Sequence, residues 1–290
     1  GPSGYNNNGI PQTLKSGVFF SDKIGEKVKI GFNYTYNQSS LDARSDRNLQ
    51  YQLRDTTFYV EERNSSKQES VDQLINARVE IKLDSVTTLE ILPSYSTSKN
   101  SNIDTLKNVF IGEDNIINSS SIVQQDHQSE SYNFQTELRL KREFKKKDRL
   151  LKYAFLYSQS ENDEDQLNLT ENEYIFNTSS NDTIDQNQQF LSKSENYKSQ
   201  FLFREPINKK WSIDLEHLYK VNLGDQNRKT FNKELNSEDY NILDNQFSNY
   251  FDNFKLTNRA GIYTVYRYKK DRLKIGGYVR NVQLRSFDIN

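Results

Sequence analysis

Apolar and polar residues alternate with period two along much of the chain. The clearest stretch is Val28-Lys29-Ile30-Gly31-Phe32-Asn33-Tyr34-Thr35-Tyr36, where every even position is apolar or aromatic and every odd one is small, polar or charged. Successive side chains of a strand point to opposite faces, so this stretch predicts a strand with two unlike faces. The alternation returns in Ile75, Ala77, Val79, Ile81 and Leu83 against Asn76, Arg78, Glu80 and Lys82, then in Leu89, Ile91, Pro93 and Tyr95. It continues through Tyr132, Phe134, Thr136, Leu138 and Leu140 against Asn133, Gln135, Glu137, Arg139 and Lys141. Further segments begin at Leu151, Tyr197, Trp211, Ala260 and Leu273, and a weaker first strand lies around 14–20. About ten segments result, each near the ~9–11 residues that a tilted strand needs to cross hydrocarbon.

The spacing between them predicts two kinds of connection. Short ones fall at 22–27, 84–87, 143–149, 206–210 and 269–272, and long ones at 38–70, 99–126, 160–189 and 224–249. Short turns on one rim and long loops on the other are how membrane barrels are built, whereas a soluble sandwich has no reason to sort its loops by length. The first long loop holds a possible hairpin, 49–53 with 57–61, expected above the membrane. The fold expected is therefore all-β, an antiparallel up-and-down transmembrane β-barrel. Residues 1–290 form a single segment of it, an incomplete, open portion of about ten long strands. Ile30, Phe32, Tyr34, Ile91, Tyr95, Leu138, Phe201, Phe203, Ile213, Leu215 and Tyr266 should face lipid. Lys29, Asn33, Arg78, Glu80, Glu137 and Arg139 should face inward.

Composition sharpens this picture. Only 33% of residues are hydrophobic, which borders on disorder, yet 18 Tyr and 17 Phe are too many for a solvating linker. Net charge is -1, so no basic excess is available for nucleic acid. The absence of Cys removes disulfides, thiolate zinc sites and cysteine nucleophiles. There is no run of 18 apolar residues and no charged leader followed by an apolar core, so a spanning helix and a signal peptide are not expected within these residues. With no Met and a start at Gly1-Pro2-Ser3-Gly4, the chain reads as a fragment or a processed piece. Charge divides with the connections: Lys145, Lys146, Lys147, Lys209 and Lys210 crowd the short turns, while 158–192 holds eight Asp and Glu without one Lys or Arg.

Ile24-Gly25-Glu26-Lys27 followed by the 28–36 strand, then Arg54-Asp55-Thr56-Thr57-Phe58-Tyr59, then Ile81-Lys82-Leu83-Asp84-Ser85-Val86-Thr87-Thr88-Leu89 running on to Ser96, resemble the barrel region of Bacteroidota outer-membrane β-barrel proteins related to TonB-dependent receptors. The resemblance covers most of the chain and is one of phrase and spacing. It implies a large barrel of roughly 22 strands around an N-terminal plug, moving an external ligand across the outer membrane with energy from the TonB system. Neither a plug nor a TonB-contacting segment is recognisable, and Phe287-Asp288-Ile289-Asn290 is not the aromatic-terminated last strand of such barrels. On this resemblance the chain is an internal barrel piece whose partners are outer-membrane lipid, the plug and TonB system of the intact parent, and an unidentified external ligand.

Residues with chemical potential are few. His127, expected at a loop-to-strand junction, and His217, expected on the lipid side of its strand, are the only histidines, and no Gly-x-Ser-x-Gly elbow accompanies either, so a rim or surface role is expected. Glu161-Asn162-Asp163-Glu164-Asp165 offers oxygen ligands for a hard cation but lacks the turn glycine and distal Glu of a calcium loop. Gly276-Gly277 is expected to be a bend within a strand rather than a phosphate cradle. No catalytic, cofactor-binding or metal residue is nominated, no cofactor is expected, and the chain is not expected to be an enzyme. The functions left are a transport or receptor barrel and, as the alternative, a surface adhesion or glycan-binding β protein without transport activity.

Overall fold

A computed structural model describes residues 9–54, 56–235 and 237–288. Eleven strands form one sheet: β1 (Gln12–Ile24), β2 (Val28–Gln52), β3 (Thr57–Lys82), β4 (Thr87–Ile111), β5 (Ile117–Glu143), β6 (Leu150–Tyr174), β7 (Asp182–Pro206), β8 (Trp211–Lys233), β9 (Tyr240–Leu243), β10 (Asn249–Tyr268) and β11 (Asp271–Asp288). Each strand pairs antiparallel with the next, except that the short β9 sits beside β8 and leaves β10 to continue the sheet. A single 3-10 turn at Thr178–Ser180 is the only helix among the described residues. The architecture is all-β and up-and-down, and the sheet is open, with β1 and β11 as its two edges.

The short connections fall where the spacing places them, at 25–27, 83–86, 144–149, 207–210 and 269–270. Gly25 takes the left-handed backbone (φ 60°) that closes the first of these turns. In the fourth, the Asn208 side chain accepts from the Lys210 and Trp211 amides, fixing the turn before β8 starts.

The four long loops are corrected. Residues 38–70, 99–126, 160–189 and 224–249 are mostly strand, and the connections shrink to 53–56, 112–116, 175–181, 234–239 and 244–248. These stretches are rich in Asn, Ser, Asp and Gln on both faces, so no apolar period marks them. They remain strands because flanking strands take up their backbone N–H and C=O groups, which would otherwise need water or side-chain partners. The hairpin expected at 49–53 and 57–61 is real, but it is the tip of β2 and β3 rather than a separate element: Leu49 faces Val60 and Tyr51 faces Phe58, the two rings stacked 4.8 Å apart.

Strands of about 25 residues span about 80 Å at the usual rise, well over twice what a membrane crossing needs. Pro93 stands within β4 near its short-turn end, and the pairing to β3 lapses opposite it, between Asn76↔Ser94 and Val79↔Ile91, because proline has no amide hydrogen to give. The sheet is one layer deep. Among the described residues only Ala43, Val60 and Val265 are buried apolar side chains, so no hydrophobic core of the soluble kind holds this fold together.

Candidate functional site: two unlike faces and a charged rim

Because opposed residues of an antiparallel pair share a face, the pairings assign every strand position to one side. Ile30 faces Val79, Val79 faces Ile91, Ile91 faces Leu138 and Leu138 faces Phe155. One row nearer the turns, Leu140, Tyr153, Phe201 and His217 line up; beyond them Phe203, Leu215 and Ile262 do so, then Trp211 with Tyr266. All eleven residues expected to face lipid lie together on this side. The six expected to face inward lie on the other, where Lys29 pairs with Glu80, Glu80 with Glu90, and Glu90 with Arg139.

Large apolar side chains stand exposed on one side, Phe32 at 38% and Leu215 at 42%. On the charged side Lys29, Arg78 and Arg139 are also exposed, and Asp214 is fully buried. Large apolar side chains left bare over eight or more adjacent strands form a patch far beyond what a soluble monomer tolerates. The band is about nine residues tall, from Val28 to Tyr36 on β2 and from Thr87 to Tyr95 on β4, and it hugs the end with the short turns.

The opposite side carries an ion-pair lattice at the same height. Lys29 lies 3.3 Å from Glu80, Arg78 lies 2.6 Å from Glu90 and 3.5 Å from Glu80, and Arg139 lies 2.6 Å from Glu137 and 3.8 Å from Glu90. Each carboxylate bridges neighbouring strands or residues, so the lattice staples β2 to β5. Arg204 donates two 2.7 Å hydrogen bonds, from Nε and Nη2, to the fully buried Asp214 carboxylate, with Arg272 4.0 Å away. Such a bidentate pair is the strong form of the interaction.

Farther from the turns the same side turns mainly to neutral polar residues. A single row runs Asn33, Asn76, Ser94, Gln135, Ser158, Asn196 and Asn222 across seven strands. Above it Ser39 meets Ser70 at 2.7 Å, Ser160 meets Ser194 at 2.8 Å, and Asn37 and Ser98 both donate to Asp72. An open depression of about 600 Å³ lies here, bordered by Asp72, Ser98, Ser131, Ser160, Asn162 and Asn196. Its lining mixes neutral donors and acceptors with the carboxylates of Asp72 and Glu161, a surface suited to polar groups that can donate hydrogen bonds.

At the turn end, Glu205 accepts from Arg149 Nε (2.6 Å) and Nη2 (2.7 Å) and from Lys146 Nζ (2.6 Å). In the 83–86 turn the Val86 amide donates to the Asp84 carboxylate and holds its pKa below the ordinary value.

The weighed candidates do not converge. His127, expected at a loop-to-strand junction, sits within β5 opposite Asn102 and Gln166 on the polar side. His217 lies on the apolar side as expected, its Nε2 2.9 Å from the Asn258 side-chain oxygen. The 161–165 run is strand rather than loop, so Glu161, Asp163 and Asp165 point to one face and Asn162 and Glu164 to the other, which prevents them from closing on one ion. Among the described residues no group of three or more His, Asp or Glu has metal-holding geometry. Gly276-Gly277 is no bend: both lie in β11 opposite Tyr263 and Ile262, and a Cβ on Gly276 would collide with the Ile262 carbonyl. Sequence reasoning missed the Arg204–Asp214 clamp and the Ser/Asn belt. The clamp had a usable signal, opposite charges placed almost symmetrically about the 207–210 turn.

Neither a protein-family model nor a curated protein matches the chain. Among solved structures, the siderophore receptor PiuA from Acinetobacter baumannii is similar at 10% identity and a TM-score of 0.40, over 95% of this chain and 60% of that one. The translocator domain of the autotransporter NalP from Neisseria meningitidis is similar at 10% identity and a TM-score of 0.24, over 98% of this chain and 90% of that one. The chain thus spans 60% of the length of the siderophore receptor. At these scores the likeness does not extend to activity.

Proposed function

We propose that the chain is part of the wall of an outer-membrane β-barrel with a TonB-dependent-receptor-like role, taking up or recognising an external ligand. The observation that carries the reading is the two-faced sheet: an exposed apolar band about nine residues tall on one face, backed at the same height by an ion-paired face. Hydrocarbon covers the first and satisfies nothing polar; an aqueous or protein-filled lumen covers the second. In the intact parent that lumen would hold an N-terminal plug, and energy would come from the TonB system, as the resemblance implies. The far halves of the strands would then stand outside the membrane, offering the Ser/Asn belt to a polar ligand. No residue is assigned a catalytic, cofactor or metal role.

The test has two arms. Membrane fractions of cells expressing the parent are extracted with salt and then with detergent, and release only by detergent is expected. Deletion of the parent gene is then followed by growth on candidate nutrients and by binding of surface ligands, with loss of uptake or binding of at least one expected. Free solubility would remove the barrel reading, and unchanged uptake with damaged membrane integrity would replace transport by a structural role. The adhesion or glycan-binding alternative is favoured by one observation, the polar character of both faces in the far halves, and ligand binding without uptake would select it.

A further inference from the structure

The turn end of the sheet holds a feature that the barrel reading leaves unused. Lys145, Lys147, Lys209, Lys210, Lys269 and Lys270 project from three turns, all exposed and, among the described residues, without an ion pair. The connections at the other end differ in sign, with Glu113 and Asp114, then Glu234, Glu238 and Asp239, and Asp244. The three basic turns are tied into one continuous edge: Lys146 reaches Glu205 at the end of β7, and the Arg267 amide on β10 donates to the Lys210 carbonyl at 2.8 Å.

Aromatic rings stand directly behind these cations, on the apolar side. Lys210 Nζ lies 4.8 Å and Lys269 Nζ 5.5 Å from the Tyr268 ring centre, and the Trp211 and Tyr266 rings, tilted by 49°, lie 4.8 Å apart one step farther in. At the neighbouring turn Arg142 and Arg149 lie over Phe144, which meets Phe203 edge-on at 6.3 Å. Rings of this kind favour the boundary between headgroups and hydrocarbon, so the free ammonium groups are set at headgroup depth. Lys269 also holds a left-handed backbone (φ 53°) in a two-residue turn, a place where Gly or Asn would fit with less strain and where the chain nevertheless carries a cation.

We propose that the edge formed by the turns at 144–149, 207–210 and 269–270 binds anionic phospholipid headgroups, its free lysines taking lipid phosphates while Trp211, Tyr266 and Phe144 mark the apolar boundary. The inference rests on the membrane reading above. Clustered cations beside an apolar surface discriminate anionic from zwitterionic leaflets through surface potential, and this edge would fix which end of the sheet meets the anionic leaflet.

The experiment uses the full chain and two vesicle types, phosphatidylcholine alone and phosphatidylcholine with one-third phosphatidylglycerol. Trp211 is the only tryptophan, so its emission reports on this edge without labelling. Partitioning and the blue shift are followed at low and high salt for the wild type and for a Lys209→Gln/Lys210→Gln/Lys269→Gln/Lys270→Gln variant. Two more variants are run beside them, the fourfold Lys→Arg replacement and Lys107→Gln/Lys229→Gln in the far halves. Wild type should favour the anionic vesicles at least about tenfold at low salt and lose that preference at high salt. The Gln variant should lose it at low salt, while the Arg variant and the far-half control keep it. Equal partitioning of wild type onto both vesicles, with Trp211 blue-shifted in each, would overturn the headgroup proposal and leave the membrane reading standing. Loss of preference in the charge-preserving Arg variant would likewise overturn it. Failure to enter either vesicle would remove the membrane reading itself.

Discussion

The two halves of each long strand carry different side-chain chemistry on one backbone ladder. Near the short turns, β2 presents Ile30, Phe32 and Tyr34 to one side and Lys29, Gly31 and Asn33 to the other, and neighbouring strands follow suit in register. Past Tyr36 the same strand reads Asn37-Gln38-Ser39-Ser40, and its partners are Asp72, Val71, Ser70 and Glu69. Pairing is unbroken across the change; only the side-chain chemistry switches. The comparison teaches that the ladder makes the strand, while the medium on each face determines whether a period is visible in the sequence.

The most damaging substitutions should be those that put the wrong chemistry on one face of the near half, and residues 214 and 215 allow a direct test because they are adjacent and face opposite ways. Asp214→Ala strips the partner from Arg204 at a site where the carboxylate is fully buried. A stability loss of about 3–5 kcal/mol is expected in urea unfolding from lipid vesicles, because breaking a buried pair leaves an uncompensated charge. A loss under about 1 kcal/mol would show that this face is open to bulk water.

Leu215→Arg comes next, at about 2–4 kcal/mol if the band lies in hydrocarbon. Gln128→Arg, on the same face but in the far half, should stay within about 0.5 kcal/mol of wild type in the same assay. Equal costs at the two sites would erase the division between the halves.

Within the far half, Ser160→Ala removes the 2.8 Å contact with Ser194. About 0.5–1.5 kcal/mol is the ordinary worth of such a bond, and the lower end is expected here because water can replace the hydroxyl.

The near half and its turns were legible in the residues because a two-sided environment imposes period two, and because Gly25, Asp84 and Asn208 place turn chemistry between the runs. The far half was not legible, since polar residues on both faces leave no period to read. One exception supports the rule: Leu49, Tyr51, Phe58 and Val60 gather on one face of the β2–β3 tip, and their apolar pairing is what made that hairpin visible. The acidic run at 161–165 misled for the same reason in reverse. Its charge density suggests a solvated loop, yet Glu161 is held in a ladder by Lys193 at 2.9 Å and by the Tyr132 hydroxyl at 2.8 Å. Clamps such as Arg204–Asp214 become readable only once the hairpin register is known.

The chain has no native cysteine, so single cysteines can be placed along β8 from Trp211 to Lys233 without background. Each is spin-labelled in vesicles and its collisions with a lipid-soluble and a water-soluble relaxant compared. The account predicts lipid contact at odd positions from 211 to 223, water or protein contact at the even ones, and water contact from 225 onward except at the buried Thr230. Period-two lipid contact continuing to 233, or none anywhere along the strand, would contradict it.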